Sequence, residues 1–181
     1  MKTFFKKNLK YLFIMGIIFF ISCSKEDPDA INEQEFISNV IVTITSEDGE
    51  PQTIDWDLSE MNSQSINMKV NTNYNVNLSF LNTSDPTDVE NVTLEIIDEA
   101  DEHQVFFEFA EVSVNVSSAS NDTKVGSRGV LINSIWNPSS TGTGLVRLYL
   151  IHQPTNFNAT TREGMGGFND VAIDIPVSIV E

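Results

Sequence analysis

Residues 171–179 read Val171-Ala172-Ile173-Asp174-Ile175-Pro176-Val177-Ser178-Ile179, with a branched aliphatic at every second position. Period two is the spacing of a strand with one buried face. Pro176 removes a ladder donor and so marks an edge or a bulge. Toward the N-terminus, Leu145 to Ile151 is apolar on both faces except at Arg147, which predicts a central strand. Tyr74, Val76, Leu78 and Phe80 alternate with asparagine and serine. Val40, Val42 and Ile44 form a similar set, as do Ile54, Trp56 and Leu58, and then Ile66, Met68 and Val70. Further runs are Val105 to Phe109, Val112 to Val116, and Val130 to Ile132. Between the first two sets, Ser46-Glu47-Asp48-Gly49-Glu50-Pro51 supplies turn chemistry.

Strands at this spacing, without long amphipathic helices between them, predict an all-β fold, an antiparallel β-sandwich of immunoglobulin-like kind. One segment stays open between helix and strand. Thr87 to Glu90 has capping-box spacing, and Val89, Val92, Ile96 and Ala100 share a helical face. Val92, Leu94 and Ile96 also alternate like a strand. The reading favours a short acidic helix over 87–102, and something must then offset the acids at its far end.

The first 22 residues carry four lysines (Lys2, Lys6, Lys7, Lys10), no acid, and an apolar run from Tyr11 to Ile21. The run is short for a bilayer span and suits a signal-peptide core. It ends at Ser22-Cys23, a small residue before the chain's one cysteine, which resembles a bacterial lipobox. That resemblance implies cleavage before Cys23 and its lipidation; an ordinary signal peptide is the alternative. Residues 23–35 hold little that is apolar and read as an acidic tether to a domain over 36–181. Lys25, Glu26 and Asp27 resemble the signal that exports lipoproteins of the Bacteroidota to the outer face of the outer membrane.

The whole chain has 181 residues and a formal charge of −16. Losing four of the ten bases and none of the 26 acids leaves a formal charge of −20. That balance excludes a phosphate-backbone binder, so no nucleic-acid partner is expected. A lone cysteine excludes a disulfide framework and a multi-cysteine zinc site. No GxSxG, HExxH or phosphate loop is present, so an enzyme is not expected. Gly164-Met165-Gly166-Gly167 reads as a flexible hairpin loop. Phe157 and Phe168 beside it read as loop anchors or exposed contacts.

Between Lys69 and Lys124 there is no basic side chain. The densest acidic run is Asp98-Glu99-Ala100-Asp101-Glu102-His103. Carboxylates and imidazole are ligands for zinc and other divalent ions. Glu99 and His103 share a face if the segment is helical. The other histidine, His152, shares a strand face with Val146, Leu148 and Leu150. The candidate metal ligands are therefore Glu99, Glu102, His103 and His152. The two histidines would meet at one rim of the sandwich, holding zinc or copper or clamping a haem. The bland alternatives are a solvated acidic face and hydrogen-bonded strand-end histidines.

The stretches EADEHQVFFEF, LYLIHQPTN and GGFNDVAIDIPVSI resemble a family of small flavobacterial lipoproteins. Members share an acidic run, an EHQ with aromatics, a strand ending in RHEP, and a Gly-Gly-x-x-Asp final strand. His103 and His152 stand at the two histidine positions, while Ile151 and Gln153 replace the Arg and Glu. Such proteins often carry the label type 1 periplasmic binding fold, against which the strand pattern and length argue here. The family is similar to accessory lipoproteins of TonB-dependent outer-membrane receptors. The resemblance implies a membrane-anchored binding protein that captures a metal ion or complex for such a receptor. An adhesion sandwich contacting protein or glycan is the competing reading.

Overall fold

The structure is a computed structural model that describes residues 35–60 and 62–181. Cys23, Lys25, Glu26 and Asp27, and with them the signal and anchor readings, lie outside the described residues.

Among the described residues, eleven strands and two short helices follow in chain order. They are β1 (Asn39–Ser46), β2 (Gln52–Asp57), β3 (Ile66–Lys69), β4 (Tyr74–Leu81), α1 (Thr93–Asp98), β5 (His103–Ala110) and β6 (Val114–Ser118). Then come β7 (Lys124–Val125), β8 (Arg128–Gly129), β9 (Asn133–Pro138), β10 (Gly142–His152), α2 (Arg162–Met165) and β11 (Phe168–Val180). One sheet has the order β2-β1-β4-β9-β6 and the other β3-β11-β10-β5. A separate hairpin pairs β7 with β8. The two large sheets pack face to face as an all-β sandwich.

The alternating patterns work as period two requires. Val40, Val42 and Ile44 of β1 face inward, as do Tyr74, Val76, Leu78 and Phe80 of β4. Val171, Ile173, Ile175, Val177 and Ile179 of β11 meet them from the other sheet. Trp136 of β9 is fully buried, with Phe107 and Phe109 edge-on at 5.0 and 5.2 Å between centroids. Its indole nitrogen donates to Ser134 Oγ at 3.1 Å. Strand β10 is central in its sheet, between β11 and β5. Arg147 points outward and pairs with Asp174 across the ladder at 3.3 Å, both about half exposed.

Four features bear on the sequence reading. The pairing of β3 with β11 is parallel, so that sheet is mixed. Strand β3 pairs only with Val177–Val180, which leaves Pro176 just outside that pairing, while the one bulge in β11 lies elsewhere. Val130 to Ile132 is a buried turn, and the strand is the following segment, Asn133–Pro138. Asp122 makes the turn: its carboxylate accepts from Leu131 N at 3.0 Å and Asn133 N at 3.1 Å, and Leu131 takes φ 70.

The fourth is the helix, which covers only Thr93–Asp98 rather than 87–102. Thr87 does not cap it; its hydroxyl donates to Asp85 in a local turn. Helix α1 is held instead through Thr93 Oγ1, which accepts from Phe80 N at 2.7 Å and donates to Phe80 O at 3.2 Å. The acids beyond it are offset by Arg128. Its Nη2 donates to the Ala100 carbonyl at 2.8 Å, and its Nη1 to the His103 carbonyl at 3.1 Å and Gln104 Oε1 at 2.6 Å. Burial pulls the Arg128 guanidinium below its ordinary range, and the charge of Asp101 opposes that. The ring of Phe157 lies 3.9 Å beneath the guanidinium, so Phe157 anchors its loop.

Candidate metal centre

His103 opens β5 and His152 closes β10, and the antiparallel ladder sets them directly opposite each other. Both face inward, in parity with Val105 on β5 and with Leu148 and Leu150 on β10. Their rings stack at 4.7 Å between centroids, with 18° between planes. Neither the apolar interior nor the stack satisfies the ring nitrogens. Each nitrogen must find its own partner.

Asp170 reaches the same point through a bulge. In β11 the outward parity belongs to Ala172 and Asp174, and strict alternation would turn Asp170 out with them. The register slips there: Leu150 pairs with Val171 while Ile151 pairs with Asn169, so Asp170 is the extra residue. A bulge re-aims its side chain, and the Asp170 carboxylate is fully buried, 3.8 Å from His103 Nε2.

The loop into β11 makes this return possible. Gly166 and Gly167 both have φ +68, and a Cβ on Gly167 would lie 2.4 Å from the His152 carbonyl oxygen. The backbone of β11 can therefore start against the end of β10. This loop is closed by hydrogen bonds rather than a plain hairpin. Thr155 N and Asn156 N donate to the Met165 carbonyl, and Arg162 donates to the Gly166 carbonyl and to Asn169 Oδ1. Phe168 is exposed.

The fourth member is Glu35, four residues before β1 and in the part of the chain read as tether. Its side chain is 4% exposed. Oε1 lies 2.8 Å from His103 Nε2, and Oε2 lies 3.9 Å from His152 Nδ1. One ligand-type atom from each of Glu35, His103, His152 and Asp170 lies within 4.8 Å of all the others. A tetrahedral ion with bonds of about 2.0–2.1 Å sets its ligands roughly 3.3 Å apart. The contacts among the four groups are 2.8, 3.8 and 3.9 Å, on either side of that spacing.

A neighbouring group orients the His103 ring. His103 Nδ1 lies 3.1 Å from the Glu99 carbonyl oxygen, which can only accept. A hydrogen therefore sits on Nδ1, and Nε2 is the ring nitrogen turned toward Glu35 and Asp170. That Nε2 lies 2.8 Å from Glu35 Oε1 and, among the described residues, is buried without a hydrogen bond. His152 Nδ1 and Glu35 Oε2 are likewise buried without one. His152 Nε2 faces Glu102 Oε2 at 3.7 Å, and that oxygen also accepts from Gln153 Nε2 at 2.9 Å.

Of the residues singled out in the sequence, His103 and His152 therefore belong to the four-residue group, and Glu99 and Glu102 do not. Glu99 acts through its backbone carbonyl, and its side chain is exposed. Glu102 is half exposed and stands behind His152. Glu35 and Asp170 take their places. The Gly-Gly-x-x-Asp pattern of residues 166–170 carried the signal for Asp170, whereas nothing distinguished Glu35 from the acids before it. No family model matches the chain, and no curated protein matches it in sequence, so the chemistry of the site carries the functional reading.

Proposed function

We propose that the folded domain is a non-catalytic metal-binding module that holds one divalent ion between Glu35, His103, His152 and Asp170. Burial is the observation that carries this reading. The four side chains are between 0% and 6% exposed and converge on one point. Among the described residues, His103 Nε2, His152 Nδ1 and Glu35 Oε2 are buried there without a hydrogen bond. A divalent cation would take such atoms as ligands.

The chemistry of the donors narrows the ion. A nitrogen and oxygen set without sulfur suits zinc better than cuprous copper. The face-to-face rings leave no gap for a porphyrin, so the geometry favours an ion over haem. Four protein ligands fill a tetrahedral shell, whereas catalytic zinc keeps a position for water. Holding an ion suits this site better than hydrolysis.

In its setting, the domain is proposed to be a lipoprotein anchored through Cys23 at the cell surface, capturing its ion for a TonB-dependent receptor. The lipobox-like segment and the family resemblance support this placement. A second reading is an adhesion module that works without metal, and the exposed Phe36 and Phe168 favour it. Calorimetric titration of the metal-stripped full-length chain in detergent with zinc separates the two. One ion per chain is expected. His103→Ala is expected to weaken binding by more than about 100-fold, because changes behind a ligand already cost about 10–100-fold. Absence of bound zinc by calorimetry and elemental analysis rejects the metal reading.

A further inference from the structure

Three of the four ligands are held by one sheet and the fourth is not. His103 and His152 are ladder partners on β5 and β10, and Asp170 sits in the bulge of the adjacent β11. Moving any of them means breaking sheet hydrogen bonds. Glu35 comes from outside that sheet, on the segment that leads into β1. Among the described residues, the first backbone hydrogen bonds of that segment are at Ser38, whose N–H donates to the Leu81 carbonyl and whose carbonyl accepts from Leu58. Ile37 is the first side chain of the segment that joins the core. Phe36 is 64% exposed. Glu35 is therefore tied down by its carboxylate contacts to the two histidines, across a short stretch with no backbone hydrogen bond of its own among the described residues.

A buried site with four ligands needs a route for its ion. Local opening takes place where backbone hydrogen bonds and apolar contacts are fewest. We infer that Glu35 is the exchangeable ligand, a gate whose departure leaves His103, His152 and Asp170 as a three-ligand site with one open position. This rests on the metal-binding reading above. The open position accepts an oxygen or nitrogen donor such as water or a chelating carboxylate. The ion then leaves or arrives by ligand exchange at that position, with Glu35 and the incoming donor changing places and no redox step. The gate lies at the end of the segment read as a tether. Ion occupancy and the fastening of residues 35–37 are accordingly one event.

The experiment is chelator-driven release of zinc from the loaded full-length chain in detergent, followed by stopped flow. Glu35→Ala is expected to retain one zinc per chain and to release it roughly tenfold faster or more, since differences among related complexes lie mostly in dissociation rates. Glu35→Gln, which keeps the shape and loses the charge, is expected to fall between. Hydrogen exchange of the wild-type chain supplies a readout independent of any variant. Stripping the zinc is expected to deprotect residues 35–37 and to leave the amides of β5, β10 and β11 protected. Release from Glu35→Ala at the wild-type rate overturns the gate, as does loss of binding as complete as in His103→Ala. Wild-type chain that takes up no zinc fails the metal reading itself, so the two failures are distinct.

Discussion

The two ends of the sandwich are both rich in polar side chains, yet they pose opposite problems. At the far end of β1 an open hollow of about 570 Å³ is lined by Ser46, Glu47, Asp48, Lys69, Asn71, Asn73 and Tyr74. Its charged groups, Glu47, Asp48 and Lys69, are exposed, so water satisfies them. At the near end, Glu35, His103, His152 and Asp170 are closed off from solvent. A carboxylate in water costs nothing to leave unpaired, whereas a buried one must be neutralised. Two acids in an open hollow are therefore ordinary surface. Two acids behind stacked histidines are where the proposed cation would sit.

The largest expected effect is that of the ion itself. At a free zinc concentration of 100 times the dissociation constant, binding to the folded state adds about 2.7 kcal/mol of stability. Thermal unfolding of the chain should shift upward with zinc and return on chelation. A midpoint indifferent to zinc would erase the contrast between the ends. Next comes Glu102→Gln, which removes the carboxylate behind His152 Nε2 and leaves the four ligands in place. A loss of zinc affinity smaller than that of His103→Ala is expected, and titration calorimetry checks it. Unchanged affinity would reduce Glu102 to a surface acid.

The sharpest comparison uses one substitution type at both ends. Asp170→Asn removes one of the four proposed ligands, so saturating zinc is expected to stabilise the variant clearly less than it stabilises wild type. Asp48→Asn in the open hollow should stay within about 0.5 kcal/mol under both conditions. Denaturant titrations with and without zinc read all four values. An Asp170 variant that tracks the Asp48 variant would show the near end to be ordinary surface chemistry.

Much of this architecture was legible along the chain. Period-two patterns such as Tyr74 to Phe80 and Val171 to Ile179 marked strands, because a half-buried strand needs alternation. The stretch 87–102 was harder, since its apolar residues fit both periods. The outcome depended on the bond from Thr93 to Phe80 and on Arg128, which is 28 residues from Ala100. Trp136 belongs to a strand that Val130 and Ile132 obscured, because Asp122 folds those residues into a turn.

The candidate centre divides the same way. His103 and His152 could be placed at strand ends facing the interior, since parity and chain position are local properties. Their pairing, and the choice of carboxylates, were not local. Asp170 has the parity of an outward residue and turns inward only because the ladder slips by one. Glu35 has the neighbours of a tether residue and becomes buried only where the chain passes the two histidines. Glu102 ended outside the cluster because a strand start sends consecutive side chains in different directions, and Glu99 because it closes the helix and meets His103 through its backbone carbonyl. Composition and periodicity by themselves determined an all-β sandwich with two inward histidines. Which acids join them was decided by a bulge and a chain crossing, long-range features that act through packing and not through any residue's own preference.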